Sequence, residues 1–410
     1  MAIMSKSIII LATLDTKGEE AGYLAEKIHE KGHKTIIIDV GELGTPALKA
    51  DFSREEIARL GGISLEEFFK DTKDKKAAPM MAKGAIKVVN DLVQDKKAHG
   101  IISLGGTKGT SLATEVMRSL KYGFPKVMVS TMASSDVSVF LDISDIIMFP
   151  SVSDILGLNP FLKKILSNAA SAVCAMAEDS GSIAVEKGPL IGISNVGITT
   201  PGAMEAIKLF KQAGYETIVF HAVGTGGRAM ERLVSEGVIG AVFDYALVEI
   251  SNYLYKGLNN GGPERLTAAG KMGIPQVICP GGVEVLALWI KEGEPIPERY
   301  QGRTEIRHSS LITTFRFSID ELIHTAKEII DRLKYTKDEA VFMLPKGAYS
   351  IYSKKGTPFY DPESDKIFAD YLKENLPENF RIIEVDSDLT DKIFVETAVK
   401  EMIALINKKR

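Results

Sequence analysis

The chain has 410 residues, of which 45% are hydrophobic and 25% charged, with a formal net charge of −4. That length sets an expectation of two domains, or three. The composition is ordinary for a soluble globular protein, and the near-balanced charge gives no ground for binding nucleic acid or an anionic membrane surface.

Two cysteines, Cys174 and Cys279, stand far apart in apolar settings and read as small core residues in a reducing compartment. The apolar run at residues 8–12 meets Asp15 and Lys17 at once. It is too short for a signal peptide or a membrane span, so the expected location is the cytoplasm.

Residues 7–13 form an apolar run typical of a buried parallel strand. The following helix carries Ala21, Leu24, Ala25 and Ile28 at helical spacing and stops at Gly32. A second strand spans 35–40, which completes a right-handed βαβ unit. Asp15, Thr16 and Lys17 stand at the carboxyl end of the first strand, where ligands of open α/β sheets bind. Thr16 and Lys17 are candidate nucleotide contacts and Asp15 a candidate metal ligand, with a helix cap as its alternative role. Residues 45–78 break the rhythm. Two short helices, at 53–60 and 65–70, and the charged run 70–76 read as an insertion over the mouth of the sheet, a lid, or else a solvated excursion.

A helix at 82–94 leads to the strand 100–104 and the turn Gly105-Gly106-Thr107-Lys108-Gly109-Thr110-Ser111. A strand, a glycine-rich turn and a helix start make an anion site, because free N–H groups and the helix dipole aim at one spot. Gly105, Gly106 and Gly109 allow close approach. The hydroxyls of Thr107, Thr110 and Ser111 and the Lys108 ammonium add donors. The lysine precedes the last glycine, so this is not a Walker A loop, and it is not GxGxxG. The alternative is a plain βα turn. The next strand, 126–131, ends in a polar cluster that offers Thr131 as a ligand contact and Asp136 as a second metal ligand. A strand at 145–149 and a helix at 160–177 close a first domain, 1–184, before a charged Ser/Gly-rich linker.

The second domain, 185–410, restarts the pattern with a strand at 190–194, a helix opened by Thr200-Pro201, and a strand at 217–220. The offset that carries Thr35 onto Thr217 also carries Gly32 onto Gly214, which reads as an old duplication or as two generic βαβ starts. Further glycine turns follow strands: His221-Ala222-Val223-Gly224-Thr225-Gly226-Gly227-Arg228, Cys279-Pro280-Gly281-Gly282 and Leu344-Pro345-Lys346-Gly347-Ala348. Gly224, Gly226, Gly227, Gly281 and Gly282 are candidate nucleotide contacts, and Lys108 and Arg228 candidate phosphate clamps. His221 or Asp244, at strand tips, is the candidate general base. The alternatives are a satisfied strand-end histidine, and an Arg228 paired with Glu231 or Asp244. Helices at 318–334, 362–374 and 391–408 complete an α/β fold of two Rossmann-like domains. Each is a mostly parallel sheet with helices on both faces, with a ligand cleft between or beside them.

Several stretches together resemble one family. They are Ala12-Thr13-Leu14-Asp15-Thr16-Lys17-Gly18-Glu19, the turn at 105–111, Pro125-Lys126-Val127-Met128-Val129-Ser130-Thr131-Met132-Ala133-Ser134 and Ser151-Val152-Ser153-Asp154-Ile155. In the second half they are Gly197-Ile198-Thr199-Thr200-Pro201, the stretch 220–231 and Phe359-Tyr360-Asp361-Pro362-Glu363. The chain is similar over nearly its whole length to the uncharacterised family that contains the tomato mosaic virus resistance protein, whose N-terminal half inhibits viral RNA replication and binds ATP. The resemblance implies two Rossmann-like lobes, ATP bound with Mg²⁺ near the glycine turns, and a homodimer without the plant protein's further C-terminal domain. Virus inhibition does not carry over. The functions left open are an ATP-binding protein or ATP-using enzyme on a small metabolite, a non-catalytic nucleotide sensor, and a two-lobed nucleotide-sugar enzyme. None of them involves nucleic acid or a membrane.

Overall fold

The computed structural model describes residues 5–64, 77–179, 181 and 187–409. The chain forms two compact units, Met1–Ser182 and Ile183–Arg410.

Among its described residues the first unit holds five strands: β1 (Ser7–Ala12), β2 (Lys34–Asp39), β3 (Gly100–Gly105), β4 (Lys126–Ser130) and β5 (Ile147–Pro150). They pair in the order β2-β1-β3-β4-β5, and every pairing is parallel. Its helices are α1 (Leu14–His29), α2 (Arg54–Gly61), α3 (Ala77–Gln94), α4 (Thr107–Arg118), α5 (Ser138–Leu141) and α6 (Pro160–Glu178). Alternating strand residues face opposite ways, so an all-apolar strand feeds two cores. Ile8, Ile10 and Ala12 pack with α1 and α6, whereas Ile9 and Leu11 pack with α3 and α4.

The described part of the insertion is not a solvated excursion. Ile57 and Ala58 of α2 are fully buried against α3. The two helices approach so closely that a Cβ on Gly61 would stand 1.9 Å from the Met80 carbonyl oxygen, and one on Gly84 2.0 Å from that of Ile57. The helix expected at 65–70 and the charged run at 70–76 lie outside the described residues.

The second unit contains β6 (Ile191–Asn195), β7 (Thr217–His221), β8 (Ala241–Ala246), β9 (Gln276–Gly281), β10 (Val285–Trp289), β11 (Glu305–Arg307), β12 (Ile312–Arg316), β13 (Ala340–Pro345) and β14 (Phe380–Val385). Six of these form a parallel sheet in the order β14-β13-β9-β8-β6-β7. Its β7-β6-β8-β9 part repeats the order of β2-β1-β3-β4. The helices are α7 (Thr200–Gln212), α8 (Thr225–Ser235), α9 (Val248–Leu254), α10 (Ala268–Met272), α11 (Ile319–Leu333), α12 (Pro362–Asn375) and α13 (Lys392–Lys408). Layers of α7 with α13 and of α11 with α12 cover the sheet's two faces.

A feature without a sequence expectation is a separate antiparallel sheet, β10-β12-β11, whose Phe315 stacks on Tyr300 with ring centroids 5.2 Å apart. Cys174 and Cys279 are free and buried, as core residues should be. Among the described residues no helix is long and apolar enough to cross a membrane.

Candidate functional site

In the first sheet the chain leaves β1 toward β2 on one side, and β3 leads to β4 on the other. The crossovers diverge above the carboxyl ends of β1 and β3, and an opening is left where ligands of doubly wound sheets bind. A cavity of about 240 Å³ lies there. The turn after β1 lines it with Asp15, Thr16 and Lys17, and the turn after β3 with Gly105, Gly106, Thr107, Lys108 and Gly109. Val40, Glu42 and Leu43 complete the wall after β2.

The turn after β3 carries the anion-binding geometry. α4 starts at Thr107 with Gly106 in the N-cap position and no side-chain cap, which leaves its first-turn N–H groups without helical partners. Gly106 has φ −82°, so it does not use the left-handed region. A Cβ added to it would meet only the Thr131 Oγ1, at 3.8 Å, so the space above it is open and Thr131 stands beside that space. Gly105 and Gly109 close the turn: a Cβ on Gly105 would stand 3.1 Å from the Gly109 Cα.

Thr110 and Ser111 are corrections. Thr110 is buried, and its hydroxyl lies 2.6 Å from that of Ser130, so it ties α4 to β4 instead of reaching a ligand. Ser111 is exposed on α4 and does not line the cavity.

Across the cavity, the Lys17 ammonium donates to the Ile155 carbonyl, and the Thr13 and Thr16 hydroxyls lie 3.0 Å apart. The Asp15 Oδ2 accepts the Leu43 N–H, while its Oδ1 is buried without a protein partner. Asp39, at the tip of β2, was not singled out by the sequence. Its Oδ1 accepts N–H groups from Leu14 (3.1 Å) and Gly41 (2.8 Å), which pins the turn after β1 to the segment after β2. Burial raises its carboxyl pKa, against those two amides. The second proposed metal ligand, Asp136, stands elsewhere. It is exposed and accepts the Ser138 N–H at 2.9 Å, a bond that lowers its pKa. Among the described residues no group of three or more His, Cys, Asp or Glu is placed to hold a metal ion.

The glycine turns of the second unit are already filled. At the start of α8 the Gly224 and Gly227 N–H groups donate to one carboxylate oxygen, Glu249 Oε1, at 2.6 and 3.1 Å. Glu249 is fully buried. A Cβ on Gly227 would stand 1.9 Å from its Oε2, and one on Gly226 2.0 Å from the His221 carbonyl oxygen. Gly224, at φ +97°, needs the left-handed region that only glycine enters freely. The helix dipole and free amides therefore bind an anion here, and it is the protein's own. Gly224, Gly226 and Gly227 are corrected from nucleotide contacts to packing residues.

Behind them the fully buried Arg265 binds Asp244 through two nitrogens (2.6 and 2.5 Å), Glu249 (2.7 Å) and Glu231 (3.2 Å). Burial opposes its charge, but the three carboxylates outweigh it and raise the guanidinium pKa. Asp244 is 1% exposed and also accepts the Ser194 hydroxyl at 2.6 Å. So buried and so engaged, Asp244 belongs to an ion cluster and lines none of the cavities at Gly106, Arg228 and His221, in place of the accessible strand-tip position expected of a general base. Arg265 binds both Glu231 and Asp244, and Arg228 lines a separate cavity of about 460 Å³ together with Glu231. Gly281 and Gly282 are also packing residues. A Cβ on Gly281 would stand 2.3 Å from the Tyr245 carbonyl oxygen, and the Gly282 N–H donates to Tyr349. His221 is exposed at the end of β7 and lines yet another cavity.

Comparison with known proteins agrees with the two-unit division. Models of the N-terminal and C-terminal domains of the uncharacterised protein family UPF0261 match residues 6–182 and 188–406. A UPF0261 protein of Clostridium tetani is 38% identical over 99% of this chain and 100% of its own length. One from Rhizobium meliloti is 35% identical over 96% of this chain and 98% of its own. The ToMV susceptible protein tm-1(GCR26) of Solanum lycopersicum is 29% identical over 92% of this chain and 52% of its own length. Among solved structures, the UDP-GlcNAc 2-epimerase from Neisseria meningitidis bound to UDP-GlcNAc aligns with 12% identity and a TM-score of 0.24, over 90% of this chain and 100% of that one. A likeness that low contributes nothing to a functional reading. The family matches cover both units, and the motifs that resembled the tomato protein's family lie within them: the chain belongs to the uncharacterised protein family UPF0261.

Proposed function

We propose that the first unit binds a phosphorylated small molecule, a nucleotide such as ATP, at the carboxyl ends of β1 and β3. One observation carries this reading: the uncapped start of α4 opens onto a cavity at the point where the crossovers diverge, with space for a ligand atom over Gly106. The second unit is an internal control, because there the same kind of turn already holds the Glu249 carboxylate. Backbone N–H groups at 106–109 would supply the geometry, and Lys108 and the Thr107 hydroxyl would add charge and a donor.

Asp15 fits a Mg²⁺ ion that enters with the phosphates. Such an ion takes one or two protein carboxylates and keeps phosphate and water oxygens for the rest, and the Asp15 Oδ1 is a buried oxygen still lacking a partner.

Thermal unfolding of the full chain tests the reading. ATP with Mg²⁺ is expected to raise the melting temperature, and ATP with EDTA to raise it less, because a ligand of the folded state stabilises by mass action. UDP-GlcNAc in the same assay separates a nucleotide-sugar site from an adenine-nucleotide site. No shift with any of these at millimolar concentration refutes the proposal. ADP release in the presence of a metabolite panel then separates an enzyme from a sensor. Homodimerisation, which the resemblance implies, belongs to the same proposal and is read by light scattering.

A further inference from the structure

We propose that the second unit carries its own small-molecule site, which takes an uncharged organic molecule with an apolar body and one hydrogen-bonding carbonyl or hydroxyl. The site stands on observations independent of the nucleotide reading.

In the six-stranded sheet the crossovers diverge above the carboxyl ends of β6 and β8, just as they do above β1 and β3. A cavity of about 280 Å³ lies at that point, close to the lower end of the size range of ligand pockets. Val196, after β6, and Val248, after β8, form its apolar floor. The antiparallel sheet contributes Val285 and Ala287 of β10. Five side chains that can exchange hydrogen bonds line the same space: His221, at the end of β7, Asn259, Thr314 of β12, whose hydroxyl already donates to the Ile306 carbonyl, His308 and Tyr352.

Two of these form a prepared pair. The His308 Nδ1 lies 2.8 Å from the Tyr352 hydroxyl. The Tyr352 ring is held edge-on against the buried Phe359, with centroids 5.8 Å apart. Whichever partner donates within the pair, the phenol oxygen and the imidazole keep a donor and an acceptor between them, which suits an oxygen that is itself a carbonyl or hydroxyl. Burial raises the Tyr352 pKa, which keeps the phenol protonated.

The ligand class follows from what the walls lack. No Lys, Arg, Asp or Glu is among the described residues that line this cavity. A phosphate or another multiply charged group would lose its hydration there without a fixed counter-charge. The two cavities therefore call for different chemistry: the first has helix amides and Lys108, the second only neutral hydrogen-bonding groups, two imidazoles, a phenol, the Asn259 amide and the Thr314 hydroxyl, on an otherwise apolar surface.

The test uses the full-length protein with ring-labelled histidine. The chain has six histidines, and His221→Gln and His308→Gln assign the two relevant signals. The probe is benzyl alcohol, with inorganic phosphate as the charged comparator. Benzyl alcohol should shift the His221 and His308 signals and leave that of His29, in the first unit, in place. Phosphate should shift neither. Ala287→Leu, which extends a side chain into the cavity, should abolish the shifts. Tyr352→Phe, which removes one hydroxyl and no packing, should weaken binding about fivefold. The proposal is overturned if neither signal moves, if phosphate moves both as benzyl alcohol does, or if Tyr352→Phe binds like the unmutated chain. It is also overturned if a folded Ala287→Leu protein still shows the shifts.

Discussion

Replacing Gly106 with valine separates a ligand site from a plain turn. Gly106 lies at φ −82° and ψ −161°, extended backbone that a valine adopts without strain. The added Cβ would meet nothing nearer than the Thr131 Oγ1 at 3.8 Å. The change should therefore alter the stability of the empty protein by no more than about 1 kcal/mol, with the loss of unfolded-state freedom working in the variant's favour. Its two methyl groups would occupy the space on which the α4 amides converge. A ligand present at about one hundred times its Kd stabilises the folded state by about 2.7 kcal/mol. For a unit of 150–250 residues, about 2–4 °C per kcal/mol turns this into a rise of about 5–11 °C. Differential scanning calorimetry with and without ATP and Mg²⁺ should show that rise in the unmutated chain and none in Gly106→Val. A folded variant whose melting temperature rises as the unmutated chain's does would show that nucleotide binds elsewhere.

Lys108→Ala should weaken ATP binding less than Gly106→Val, since an exposed, flexible lysine adds charge to a geometry set by amides. Isothermal titration that finds the reverse order would refute this. Gly227→Ala should cost more than about 3 kcal/mol in urea unfolding, because its Cβ would stand 1.9 Å from the Glu249 Oε2, inside a packed cluster. Arg265→Met should cost about 3–5 kcal/mol by leaving Asp244, Glu249 and Glu231 without their shared cation. A loss below about 1 kcal/mol in the same assay would mean that the cluster is not held by charge. Burial pushes the Asp365 carboxyl up to about 7, with Arg316 opposing. The folded state then binds that proton more tightly than the unfolded chain. The contribution of Asp365 to stability is therefore full below about pH 4 and is lost as pH rises toward about 7. The urea-midpoint difference between the unmutated chain and Asp365→Asn should fall across that window, and a difference that rises refutes the assignment.

Much of the first unit was legible because its information is local. A strand buried on both faces reads as an unbroken apolar run, as at Ile8, Ile9, Ile10 and Leu11, and the helix after it carries its own period. With the βαβ order recognised, Asp15 to Lys17 and Gly105 to Lys108 had to stand at carboxyl ends of strands, and the sheet order brings those ends together. The short antiparallel strands β10, β11 and β12 left no comparable trace, because a strand of three to five residues carries too little alternation to stand out.

By itself, then, the sequence determined the two parallel-sheet units and the positions of the βα turns. Only the tertiary structure decided which turns are open. Around Gly106 and around Gly227 the local pattern is the same: a strand, a glycine-rich turn and a helix start. The two differ because Glu249 follows β8, and Arg265 follows later still, and both fold back onto the α8 start, so that a buried carboxylate occupies the amides an outside anion would need. Likewise His308 and Tyr352 lie in segments that share no motif, and they meet His221 only because the small antiparallel sheet folds over the β6 and β8 ends. Long-range packing brings such groups together, and no local spacing encodes it.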